Sequence, residues 1–188
     1  MNKNKVFRMP VAVKITGRSS SITNAFYNGI IPVIEPTNDE IKEALDTLGM
    51  TEETICCAYC GDRYTEWDHL NPLIENKRPT GYISEIHNLV PACGKCNQSK
   101  GNKYWKTWML SDAKLSPTTR GVNDIDYRIK KLEQYVQKYQ PKQYDFRAIV
   151  GDELWKQHIQ NCDTIQKMMK DSQELSDRIK MIIAESIK

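Results

Sequence analysis

CAYCGDRYTEWDHLNPLIENKRPTGYISEIHNLVPACGKCNQSKG, residues 57–101, decides how this chain is read. The stretch is bracketed by two Cys-x-x-Cys pairs, Cys57/Cys60 and Cys93/Cys96, with 32 residues between them. A two-residue spacer lets both thiolates of a pair reach one ion from a tight knuckle, and a second pair completes a tetrahedron. Soft sulfur donors in that number favour Zn2+, and a closed four-thiolate shell leaves no open position, so the expectation is one structural zinc per chain. The separation is too long for a compact zinc ribbon, so a supersecondary unit must lie between the knuckles. Tyr64, Thr65 and Trp67 make residues 63–70 a strand that Pro72 stops. Residues 77–81 have turn chemistry, 82–86 read as a second strand, and 94–110 as a helix in which Gly101 is a weak point.

Working outward, the 188-residue chain is long enough for one ordinary domain or for a small core with large additions. No apolar run approaches the ~20 residues of a membrane span, and the start MNKNKVFRMPVAVKI is too short in apolar residues for a secretory signal. The chain therefore reads as cytoplasmic, where a disulfide framework for six cysteines is disfavoured and metal binding is the better account. Cys56 and Cys162 are left over and read as small semi-buried apolar residues. The net charge of +3 is modest but unevenly spread. Residues 1–34 carry Lys3, Lys5, Arg8, Lys14 and Arg18 with no acid, and 95–106 hold only Lys95, Lys100, Lys103 and Lys106. Such patches fit a polyanionic partner.

The flanks read as follows. Residues 1–18 look like a basic extended arm or an edge strand, with VAVKI as the β-like run, Ser19–Ser21 can cap a short helix, and the two prolines of IIPVIEP mark an extended connector. Thr37 and Glu40 form a capping box for a helix whose face is Ile41, Ala44, Leu45 and Leu48 and whose stop is Gly49. A second helix spans 124–139, with Ile125, Ile129, Leu132 and Val136 on one side. Further helices are expected at 152–169 and 172–187, the last with an Asp171/Glu174 capping box and a face of Leu175, Ile179, Ile182 and Ile183. That stripe is most simply core, with a dimer interface as the alternative. Residues 122–188 balance 12 Lys/Arg against 11 Asp/Glu, so this half is no basic clamp for a polyanion.

Asp68-His69, Asn88 and the run C-x-x-C-N-x-x-K-G at 93–101 resemble the HNH nucleases of the ββα-metal superfamily in their zinc-bearing form. The resemblance covers roughly residues 55–109. It implies an α+β chain: a zinc-stapled ββα-metal core at 55–110, an N-terminal arm and helix at 1–54, and a mainly helical region at 122–188 serving dimerisation or target recognition. It also implies roles. His69 would be the general base, Asp68 and Asn97 would ligate one catalytic Mg2+ or Mn2+, and Asn88 would orient the loop and the His69 ring. Many members of the family carry histidine at the position of Asn97, so this is an H-N-N version. Lys100, Lys103 and Lys106 are candidate phosphate contacts, whereas Tyr104 stands beside core aromatics Trp105 and Trp108. His87 and His158 read as structural or solvated.

The implied activity is hydrolysis of duplex DNA phosphodiesters to 5′-phosphate and 3′-hydroxyl ends, in a restriction-type enzyme acting as a homodimer. A phage or mobile-element nuclease is the alternative with the same chemistry. A zinc-dependent DNA-binding protein that does not cut is an alternative of another class, and a zinc module presenting helices to a protein partner is a third. In a regular strand Asp68 and His69 point to opposite faces, so a shared site requires the strand to end or bulge there.

Overall fold

The structure, a computed structural model, describes residues 7 and 9–187. Of the arm expected at 1–18, Lys3, Lys5 and Arg8 lie outside the described residues, and Ile15–Arg18 form a 3-10 turn in place of extended chain. By its internal contacts the chain divides into two units, Tyr27–Phe146 and a pairing of Met1–Phe26 with Arg147–Lys188. Both sequence-based boundaries, at 54/55 and in 111–121, fall inside the larger unit.

In the larger unit, β1 (Glu66–His69) pairs antiparallel with β4 (Leu89–Ala92), placing Asp68 opposite Val90 and His69 opposite Leu89. The second strand of this pair was expected at 82–86. It forms instead after a 3-10 turn at Ile86–Asn88, and Pro91 is tolerated because a two-stranded sheet has free edges. Between the strands sits a small hairpin, β2 (Ile74–Glu75) with β3 (Arg78–Pro79). Its two connecting residues, Asn76 and Lys77, both have positive φ, the backbone of a tight hairpin turn. α3 (Gly94–Lys100) leaves the second knuckle, and the helix expected to reach residue 110 breaks at Gly101, whose φ of 51° and ψ of −127° no helix accommodates. It resumes as α4 (Trp105–Met109). Knuckle, strand, strand, knuckle, helix is thus the ββα order, and the chain is α+β.

The helices around this core follow their sequence signals. α1 covers Ser19–Asn28. α2 (Asn38–Leu48) has the Thr37/Glu40 capping box formed in both directions and ends on left-handed Gly49. Its buried Ala44, Leu45 and Leu48 pack on α5 (Ile125–Tyr139), which buries Ile129, Leu132 and Tyr135. Tyr59, Leu70, Trp105, Trp108 and Met109 fill the same core. The Tyr135 hydroxyl donates to the carbonyls of Ile86 (2.6 Å) and Leu89 (3.1 Å), so α5 fixes the turn that carries Asn88. The proline-containing connector makes no strand; it buries Ile31, and Val33 forms an isolated bridge with Ser84.

In the smaller unit, the expected pair of helices is one continuous helix, α7 (Asp152–Ser186), preceded by α6 (Phe146–Val150), which starts in the larger unit. Nothing between 169 and 172 breaks it, because Lys170 and Asp171 are ordinary helix residues and the proposed cap at Asp171 had no turn to cap. α7 packs through Cys162, Gln166 and Gln173. Gln166 donates to Ser19 O at 2.9 Å, and Gln173 accepts from the Ile15 N–H at 2.7 Å. The stripe Leu175, Ile179, Ile182 and Ile183, expected first as core, is exposed because the N-terminal segments cover a different face. Among the described residues no helix is long and apolar enough to cross a membrane.

Candidate active site

The four knuckle cysteines converge. The Sγ atoms of Cys57, Cys60, Cys93 and Cys96 all lie within 4.8 Å of one another, and all four residues are buried. The cluster could hold a metal ion. Backbone bonds shape each knuckle: Gly61 N–H donates to Cys57 O, Cys57 N–H to Asp62 O, and Asn97 N–H to Cys93 O. The crowded thiols share their protons, and Cys57 is pushed up to about 12, first by its hydrogen bond with Cys60, while Cys60 is held low. A soft divalent cation that displaces those protons is the natural counter-charge. Arg120, from the segment after α4, supplies one fixed positive charge: its guanidinium donates to Cys96 Sγ at 3.3 Å and pairs with Asp62. Arg128 of α5 donates to Cys57 O at 3.1 Å.

Asp68 and His69 sit at the end of β1, and the strand geometry does turn them apart. Asp68 points inward, where its Oδ2 accepts from the Tyr59 hydroxyl at 2.6 Å and pairs with Lys100 Nζ at 3.0 Å. His69 points to the other side, with Nε2 2.7 Å from Ser84 Oγ. The two are joined from behind by Lys100, whose ammonium also donates to His69 O at 2.8 Å. Burial raises the Asp68 carboxyl and lowers the Lys100 ammonium, each drawn back by the other's charge. Burial, with the Lys100 charge second, lowers His69 to about 4, so its imidazole is neutral near pH 7.

Lys100 was expected to touch phosphate. Its side chain is 0% exposed, so the position on the buried face of α3 turns it inward against Asp68 and withdraws it from any bound strand. Lys103 donates to Ser99 O at 2.8 Å, and Lys106 pairs with Glu133 at 2.6 Å. Both remain near the surface.

Asn88 is 1% exposed and clasps the chain just beyond His69. Its Oδ1 accepts from Asn71 N–H (2.9 Å) and Asn71 Nδ2 (3.1 Å), its Nδ2 donates to Asn71 O (3.0 Å), and its own carbonyl accepts from Leu70 N–H (2.8 Å). The loop at Asn71-Pro72 is thereby held while β1 ends. Asn97 lies on α3, half-buried, its side chain making no hydrogen bond among the described residues. Asp68 Oδ1 makes no hydrogen bond among the described residues, and a carboxylate oxygen and an amide oxygen are each donors of the kind a hard divalent cation takes. His87 stacks on Tyr139, the ring centroids 4.7 Å apart, and His158 bonds Phe26 O at 3.0 Å.

Tyr59 and Ser84 escaped the sequence reading, as did the inward role of Lys100. Tyr59 lies inside the first knuckle, and nothing in Cys-Ala-Tyr-Cys distinguishes it from a core aromatic. Ser84 fell within a supposed strand.

Residues 57–103 match the family described as HNH endonuclease. A stretch of 56 residues is 41% identical to the CRISPR-associated endonuclease Cas9 of Corynebacterium diphtheriae, covering 28% of this chain and 5% of that protein. No solved structure matches the chain. The family match encloses both knuckles, Asp68, His69, Asn88, Asn97 and Lys100, so this chain carries an HNH endonuclease domain at residues 57–103.

Proposed function

We propose that the chain is a divalent-metal-dependent endonuclease that hydrolyses phosphodiesters of duplex DNA, leaving 5′-phosphate and 3′-hydroxyl ends, in a restriction-type role. The observation that carries this reading is His69 at the end of β1, oriented through Nε2 by Ser84 and backed by the Asn88 clasp. In the tautomer whose Nε2–H donates to the Ser84 hydroxyl, Nδ1 is the acceptor nitrogen that takes a proton from the attacking water. Asn88 keeps the loop from shifting the ring, and Tyr59 and Lys100 hold the Asp68 carboxylate to one rotamer. Mg2+ or Mn2+ held by Asp68 and Asn97 would supply charge stabilisation on the phosphate and the leaving oxygen. Zinc in the thiolate cluster is scaffold. Lys103 and Lys106, at the surface after α3, would meet backbone phosphates. Cutting both antiparallel strands with one site per chain calls for two copies related by a two-fold axis.

A second reading, a DNA-binding protein that does not cut, is favoured by one observation: Asp68 Oδ2 is already committed to an ammonium and a phenol. Duplex DNA incubated with the protein, with and without Mg2+ or Mn2+, separates the two. Metal-dependent cleavage that falls by about 10²–10⁴-fold in His69→Ala, with binding retained, supports the nuclease. Binding without cleavage in the unaltered protein supports the second reading. Discrete fragments would fit the restriction-type role, and a smear would overturn it.

A further inference from the structure

We propose that the C-terminal half of α7 is a homodimer interface, in which residues 165–182 pair antiparallel with the same segment of a second copy of this chain. Ile165, Met168, Ser172, Leu175, Ile179 and Ile182 are spaced three, four, three, four and three residues apart, the repeat of a helix–helix seam. On α7 these positions lie about a third of a turn round from the face that packs through Cys162, Gln166 and Gln173. The seam is open to solvent, with Met168 64%, Leu175 56%, Ile179 48% and Ile182 62% exposed. Contiguous apolar surface of this kind marks an interaction site.

The charges beside the seam select the occupant. Antiparallel pairing about the middle of the segment sets Ile165 against the partner's Ile182, Met168 against the partner's Ile179, and Leu175 against the partner's Ser172. The flanking positions then place Asp171 beside the partner's Arg178 and Arg178 beside the partner's Asp171, two matched pairs generated by one two-fold axis. Neither side chain has an ion-pair partner among the described residues of its own chain. A parallel arrangement would instead set Asp171 beside Ser176 and Arg178 beside Ile183, with no charge matched. Ser172 makes a polar break in the seam, a device that penalises slipped registers.

This inference rests on the two-copy reading of the proposed function, and the test separates them. Sedimentation of the full chain is expected to give twice 21.8 kDa. Ile179→Glu and Leu175→Glu, at exposed positions, should each give 21.8 kDa with unchanged circular dichroism. Arg178→Asp should weaken the dimer about tenfold by setting like charges together, and Asp171→Arg added to it should restore the affinity. A chain that sediments as a monomer at its highest soluble concentration overturns the proposal, as does a dimer indifferent to Ile179→Glu or a charge reversal without rescue. Duplex cleavage is measured on the same samples. A monomer that cuts both strands removes the interface and spares the nuclease, whereas a rescued dimer that never cuts does the opposite.

Discussion

Lys100 shows how a single side chain changes meaning between a sequence and a fold. In the sequence it belongs to a basic run, and in the structure its ammonium is enclosed against Asp68 and the His69 carbonyl. Breaking a buried ion pair strands a charge, so Lys100→Met should cost about 3–5 kcal/mol, read as a lower urea midpoint. An unchanged midpoint would show that the pair contributes nothing to folding. Asn88→Ala leaves the Asn71 backbone N–H without its acceptor and should cost about 1–3 kcal/mol. It should also lower cleavage more than substrate binding, because the clasp positions a loop rather than a strand of DNA. The cysteines were legible because a two-residue spacer is a local property, fixed by the reach of two side chains. Tyr59, Ser84 and Lys100 were not, since each acts on a residue 9 to 31 positions away and depends on how strands and helix meet.

At the scale of elements, capping chemistry and apolar periodicity located α2 and α5 to within a residue or so, since Thr37, Glu40 and Gly49 fix the helix ends locally. The second strand of the core lies at Leu89–Ala92 and not at 82–86; it contains Pro91, which a central strand rejects and the edge of a two-stranded sheet accepts. α7 was split in two because a capping pattern at Asp171 signals a helix start even where no chain reversal exists. Beyond α4, the segment that delivers Arg120 to Cys96 Sγ carries no motif or apolar period in its sequence. Its guanidinium would offset the negative charge that thiolates accumulate around a metal held by the cluster. Arg120→Ala should therefore release the bound metal severalfold faster to a colorimetric chelator, at unchanged metal content before challenge. Equal release rates would assign Arg120 to the Asp62 pair alone.

For the molecule as a whole, the cysteine cluster belongs to one unit only, Tyr27–Phe146. Hydrogen exchange after chelation should speed the amides of β4 and α3 while those of α7 within residues 155–166 keep their protection. Uniform loss of protection would mean that the two units unfold as one. The connector at residues 30–36 acts over a shorter range. Ile34 N–H donates to Ser84 O at 2.8 Å and Ser84 N–H to Pro32 O at 3.1 Å, while the Ser84 hydroxyl meets the His69 ring. The imidazole is therefore wired to a surface segment of chain that has no chemistry of its own. A ligand that grips or bends that exposed segment is expected to shift Ser84 and, through it, the tilt of the ring. The ¹⁵N resonances of His69 thus become a gauge of events at Val33 and Ile34, readable without turning over any substrate.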